Sequence, residues 1–184
     1  MKALRVKTVW FRKGAARSAA ELASVLGSTL WRLAEKLVDN LSRAEYDIVT
    51  PARGFRIIAE VLALGLHLCD RWAWGRLDDA QRAALVQAIG ERLADTMESN
   101  VRGSRENFID MLNRRGADYA GFDIPAEGAG FPVLRYLAAQ VREAMDEHDR
   151  HWVMDQMMDV EMPEVLGTLK KTFDGLIAPP AAAH

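Results

Sequence analysis

The sequence is poor in cysteine, since Cys69 is the only one among 184 residues. A lone cysteine excludes an intrachain disulfide and a zinc cage built from cysteines, and it favours a reducing compartment. We therefore predict a cytoplasmic protein. On a helix, the side chains of Cys69 and the nearby His67 would point about 160° apart, so we expect a buried, inert thiol rather than a Cys-His nucleophile.

Long apolar runs are also missing from the sequence. The most apolar stretch, from Ile57 to Cys69, is interrupted by Glu60 and His67. It is shorter than the roughly 20 residues that a transmembrane helix needs. We therefore expect no segment that is integral to a membrane.

Short catalytic and phosphate-binding motifs are absent as well. The chain has no GxGxxG or GxxxxGKS/T loop, no GxSxG elbow, no HExxH pair and no Glu-x-x-His element of the di-iron bundles. No substrate or reaction is therefore assigned by motif. Function has to be inferred from composition, charge and the placement of side chains.

The residues that are present describe a helical protein. The hydrophobic fraction of 49% and the charged fraction of 27% are typical of a globular domain, and 184 residues suffice for one domain with a sizeable core. Apolar residues recur at helical spacing, and no interior stretch alternates as a strand does. Helix starts are indicated by capping boxes, caps and first-turn prolines, at Ser18 with Glu21, Thr50 with Pro51, Asp78 with Gln81, Ser104, Pro132 and Pro163.

These signals predict an all-α, single-domain bundle of five to six helices. We expect a basic N-terminal arm at 1–17, the bundle domain at 18–178 and a flexible tail at 179–184. The bundle should contain a long central helix over 51–74 and a long helix near the C-terminus over 132–160. Gly116 is expected to close the fourth helix, and the glycine-rich connection 116–131 is either a lid or a surface excursion.

Charge is distributed unevenly along the chain. Residues 1–17 carry six basic residues and no acid, while residues 142–174 carry nine carboxylates and four basic residues, a net charge of −5. The two ends are thus oppositely charged. The arm is expected to dock on its own acidic end, on that of a neighbouring subunit, or on another anionic partner.

A cluster of ionisable residues at 143–159 predicts a metal site. If 132–160 is one helix, a quarter of its surface there carries four ligand types, namely Glu147, His148, His151 and Asp155. Glu60 and His67, both on the polar stripe of the second helix, would complete the site. Imidazole with carboxylate suits a divalent metal, namely Zn, Mn or Fe.

The same helix would turn His148, Asp155 and Asp159 towards the core, because they fall on the line of its apolar residues. An unpaired buried charge is too costly to keep. Three resolutions are open: a metal ion, basic residues from another helix or subunit, or a helix that bends near Arg150 so that the acids meet water.

The basic arm combines aromatic and cationic residues, which predicts that it binds a partner. The residues concerned are Arg5, Lys7, Trp10, Phe11, Arg12 and Lys13. The acidic body and the lack of a nucleic-acid-binding fold disfavour nucleic acid. Peripheral contact with an anionic membrane surface is compatible with this composition.

Two functions remain. The first is a cytoplasmic interaction or assembly module, which binds a protein partner or itself through the basic arm and the acidic, methionine-rich end. The alternative is a helical-bundle enzyme or cofactor carrier that uses the cluster at 143–159 with a divalent metal.

Overall fold

The computed structural model describes residues 17–48, 50–125 and 128–178, which form an all-α bundle without a β-strand. Five helices come first: α1 (Ala19–Arg43), α2 (Pro51–Ala73), α3 (Asp79–Asn100), α4 (Arg105–Ala120) and α5 (Phe131–Arg142). The sixth helix, α6, is a continuous run of α-helix (Val153–Asp155), one π-helical segment (Gln156–Glu161) and α-helix (Met162–Leu176). The predicted fold class is confirmed.

Local capping explains where three helices begin. The Ser18 hydroxyl accepts from the N–H of Glu21, whose carboxylate accepts from the N–H of Ser18 at 2.8 Å. Asp78 and Gln81 form a second capping box, and Thr50 caps α2 ahead of Pro51. These bonds satisfy donors that have no partner inside the helix, so short sequence signals fix the starts.

The start of α4 is capped differently from the prediction. The Ser104 side chain makes no cap bond, and its hydroxyl is buried without a partner among the described residues. Instead the Glu98 carboxylate, from α3, accepts from the N–H groups of Gly103 at 2.8 Å and Arg105 at 3.0 Å. These backbone bonds lower the pKa of Glu98 below its usual range.

The fourth helix does not end at Gly116, as the sequence predicted, but continues to Ala120. A helical glycine costs about 1 kcal/mol relative to alanine. The extra turn places the Tyr119 side chain in the core, where it is fully buried. Burial of an aromatic ring outweighs the glycine penalty, so the connection to α5 is shorter than expected.

The helix predicted at 132–160 is broken in the structure. α5 ends at Arg142, a 3₁₀ turn spans Asp149–His151, and α6 starts at Val153. Three ways of avoiding buried, unpaired acids were open, and the structure shows the third, in which the helix is interrupted and the exposed acids meet water. Pro163 does not start a separate helix either. It follows directly on the π-helical segment, in the first turn of the α-helical part of α6, where a residue without an N–H is tolerated.

α2 lies in the middle of the bundle and packs against α1, α3, α4, α5 and α6. Gly65 lies where α2 packs against Leu30 of α1. A Cβ built at Gly65 would lie 2.1 Å from Cδ2 of Leu30, a fully buried side chain. The glycine is therefore required by the packing of two core helices.

We predict that Gly65→Ala lowers the free energy of unfolding by about 1–3 kcal/mol, because Leu30 has no free space in which to move. Gly90→Ala is the matched control, since a Cβ there meets nothing nearer than Leu66 at 3.7 Å. The control should gain up to about 1 kcal/mol from helix propensity. Urea denaturation followed by circular dichroism measures both, and equal effects would contradict the packing argument.

Candidate functional site

The four predicted metal ligands do not share one helix. Glu147 and His148 lie in the connection after α5, His151 lies in the 3₁₀ turn and Asp155 lies in α6, and all four are exposed. Within residues 17–48, 50–125 and 128–178, no three His, Cys, Asp or Glu side chains are grouped closely enough to hold a metal ion. The geometry on which the metal hypothesis depended, a single helix through this region, is absent.

Glu60 and His67, the proposed additions to that site, have other partners. The Glu60 carboxylate accepts two bonds from the Arg115 guanidinium, at 2.7 and 2.8 Å. His67 is half-buried, with its ring 5.7 Å from that of Tyr119. Burial lowers the pKa of His67, which favours the neutral imidazole at pH 7.

Arg115 links three helices through a polar network. Besides Glu60 on α2, it donates to Gln140 on α5 at 2.7 Å and to Asp118 on its own helix at 3.2 Å. The Tyr136 hydroxyl donates to Asp118 at 2.5 Å. Burial and this bond raise the pKa of Tyr136 to about 12, whereas the bonds from Tyr136 and Arg115 hold the pKa of Asp118 below its usual range. The network therefore holds α2, α4 and α5 together, and we call it the Arg115 clamp.

We predict that Arg115→Lys lowers the free energy of unfolding by about 2–3 kcal/mol, because an ammonium cannot replace the two-pronged bond and leaves Glu60 under-compensated. Arg114→Lys, at the exposed neighbouring position, should change it by less than about 0.5 kcal/mol. Thermal and urea denaturation measure the difference. Equal stability of the two variants would show that the clamp contributes nothing.

Two acids that the sequence did not single out are buried beside the break in the helix. Asp149 is 5% exposed and accepts from the backbone N–H of Asp47 at 2.6 Å. Glu161, at 3% exposed, accepts from the side-chain amides of Asn40 and Gln156, both at 2.9 Å. The Glu161 contact joins α6 to α1, and the Asp149 contact joins the 3₁₀ turn to the α1–α2 connection. Both carboxylates are therefore satisfied by hydrogen bonds within the chain.

Tyr46 lies close enough to these two buried acids to feel their charge. Burial, followed by the charges of Asp149, Asp155 and Glu161, raises the pKa of its hydroxyl. The phenol is therefore kept neutral next to three carboxylates. Among the described residues the acids here are not grouped as metal ligands, and the bond of Asn40 to Glu161 is what links α1 and α6 at this point.

The exposed side of α6 carries apolar and acidic residues together. Trp152 is 67% exposed and Val160 is 55% exposed, and the exposed acids Asp155 and Asp159 lie between them in the sequence. On the opposite side, Val153, Met157 and Glu161 are buried at a spacing of four. The π-helical segment adds a residue per turn, which brings Trp152 and Val160 onto one side. We call Trp152, Asp155, Asp159 and Val160 the α6 face.

The methionines of this region face the core more than the solvent. Met157 is fully buried, and Met154 and Met158 are half-buried against the core. The apolar part of the exposed surface therefore comes from Trp152 and Val160, not from the methionine-rich stretch that the sequence highlighted. Among the described residues, Asp155 and Asp159 make no ion pair.

The basic arm is the second element that the sequence predicted to bind a partner. Its proposed partner-binding residues lie outside the described residues, and they are Arg5, Lys7, Trp10, Phe11, Arg12 and Lys13. Partner binding by the arm therefore stays a prediction.

Cys69 is fully buried on α2. Burial raises the pKa of its thiol to about 12, so the reactive thiolate is not populated near neutral pH. This agrees with the inert thiol expected from the helical spacing of Cys69 and His67. The site offers no cysteine nucleophile.

We predict that Cys69 does not react with an aromatic disulfide reagent at pH 8 in the folded protein. It should react fully once the chain is unfolded in denaturant. Ala84→Cys, which adds a thiol on the exposed side of α3, is the control and should react at once in the folded state. If both thiols of the folded Ala84→Cys variant reacted rapidly, the result would show that the core around Cys69 opens readily.

The chain matches no protein-family model, no curated protein and no solved structure. In the described part of the chain, no helix combines the length and the apolar character that crossing a membrane requires.

Proposed function

We propose that this chain is a cytoplasmic interaction module that associates with itself, or with a protein partner, through the α6 face and the basic arm. The supporting observation is the exposure of Trp152 and Val160 beside two acids that have no ionic partner among the described residues. Tryptophan is among the residues that contribute most to binding at protein interfaces.

The negative charge of the α6 face favours a cationic binding partner. Asp155 and Asp159 are exposed and lie one helical turn apart. Residues 1–17 carry a charge of +6 and contain Trp10 and Phe11. Opposite charges would orient the approach, and aromatic rings would cover Trp152 and Val160.

The break after α5 is what makes the acids available. Were residues 132–160 one straight helix, Asp155 and Asp159 would turn towards the core. In the structure the ionic contacts near the break use other residues, with Arg53 bonded to Asp146 at 2.7 Å and Lys36 bonded to Glu164 at 2.5 Å. The α6 face therefore presents net negative charge to a partner.

The metalloenzyme alternative has no comparable support. Its four ligands are spread over a connection, a 3₁₀ turn and α6, and its two additions belong to other contacts. No contact among the described residues favours it over the interaction module.

We predict association that weakens with salt. Light scattering at about 0.05 M salt should give at least twice the 20.5 kDa of one chain, and the mass should fall at about 0.5 M as charges are screened. Deleting residues 1–17 should abolish association while leaving the helical circular dichroism almost unchanged.

A charge-matched pair of variants locates the contact. Asp155→Lys with Asp159→Lys should weaken association at least about tenfold, since the arm would then meet like charge. Glu106→Lys with Asp110→Lys makes the same change of charge at the same spacing on the exposed side of α4, and should leave association intact. A monomer at every salt concentration, or equal losses in both pairs, would overturn the proposal.

A further inference from the structure

A groove lies between α2, α3 and α4, on a different part of the bundle from the α6 face. Its volume is about 740 Å³. Pockets for small molecules commonly enclose about 300–1,000 Å³, and bundle proteins place them between helices. The groove is therefore of a size that suits a ligand of ordinary small-molecule dimensions.

The floor of the groove is apolar and incompletely covered. Leu66, Val86 and Ile109 are only half-buried there, Leu66 and Ile109 also pack against the core, and the buried Leu112 belongs to the same lining. Half-exposed aliphatic side chains brought together from three helices form one continuous apolar surface. An occupant would remove that surface from water, which is the main source of affinity in such sites.

Gly90 deepens the groove without being required by the fold. It lies inside α3, where glycine is unfavourable by about 1 kcal/mol relative to alanine. A Cβ at this position would meet only Cδ2 of Leu66, at an ordinary 3.7 Å. The chain's own packing thus leaves room for a side chain here, and the missing side chain enlarges the space above Leu66.

Both arginines at the rim, Arg82 and Arg105, are in ion pairs, whereas the carboxylates Asp79 and Glu91 have no cationic partner among the described residues. Arg82 donates two bonds to Asp70, at 2.6 and 3.0 Å. Arg105 is paired with Asp95, and Gln87 donates to Glu91 at 2.9 Å. Because both arginines are already paired and these two exposed carboxylates are not, the rim is acidic and disfavours a negatively charged ligand.

We propose that the groove binds a neutral, largely apolar small molecule. The apolar floor supplies the contact surface, the acidic rim disfavours a negative charge on the ligand, and the open space beside Gly90 accommodates the body of the ligand. None of the residues that line the groove belongs to the α6 face.

The test uses two fluorescent probes with related aromatic skeletons, neutral phenylnaphthylamine and anionic anilinonaphthalene sulfonate. Titration of the full chain should show saturable binding of the neutral probe, and the sulfonate should bind at least about tenfold more weakly. Binding of the neutral probe should be the same at low and high salt and in the Asp155→Lys, Asp159→Lys variant. Failure of association at the α6 face therefore leaves this result untouched.

Two neighbouring alanines provide a matched pair of variants. Ala83 lines the groove, whereas Ala84 is exposed on the same helix and does not line it. Ala83→Trp should raise the dissociation constant of the neutral probe at least about tenfold by filling the groove, and Ala84→Trp should leave it within about twofold. Gly90→Leu, which fills the groove from its floor, is a second variant with the same expected loss.

Three results would overturn the proposal. The first is no saturable binding of the neutral probe, and the second is tighter binding of the sulfonate. The third is equal binding by the Ala83→Trp, Gly90→Leu and Ala84→Trp variants, with circular dichroism showing that all three are folded.

Discussion

The structure depends on one electrostatic constraint, that a carboxylate leaves water only when hydrogen-bond donors replace the water. The stretch 143–161 carries more acids than the core can satisfy. The chain meets the constraint by ending α5 at Arg142, by burying Asp149 and Glu161 against amide donors, and by leaving Asp155 and Asp159 in solvent. The π-helical segment then sets which residues share the exposed side, so the α6 face is a consequence of how buried charge is avoided.

The same constraint operates at α2, with a different outcome. Its polar stripe crosses the bundle interior, and each charged group that is half-buried there has a cation or anion opposite. Glu60 is held by Arg115, and Asp70 is held by Arg82. The first pair clamps three helices together. The second neutralises the half-buried acid at the rim of the groove, whereas the exposed acids there, Asp79 and Glu91, have no cationic partner among the described residues.

The α6 face and the groove therefore differ in physical character. The α6 face combines exposed apolar side chains with uncompensated negative charge, so contacts made there are sensitive to salt. Binding of the proposed ligand in the groove would come from apolar burial, which responds little to screening. The two proposed binding modes are therefore separable experimentally by ionic strength.

The sequence by itself determined the features that depend on residues within a few positions of one another. Ser18, Thr50 and Asp78 cap helices because their side chains reach donors three residues ahead, and the apolar spacing of α2 marks it as central. Only the tertiary structure decided that Glu98 caps α4, that Arg115 meets Glu60 and that α5 stops at Arg142. Those outcomes depend on partners that are distant in the chain, or on the balance between burying and solvating a charge, which no local pattern encodes.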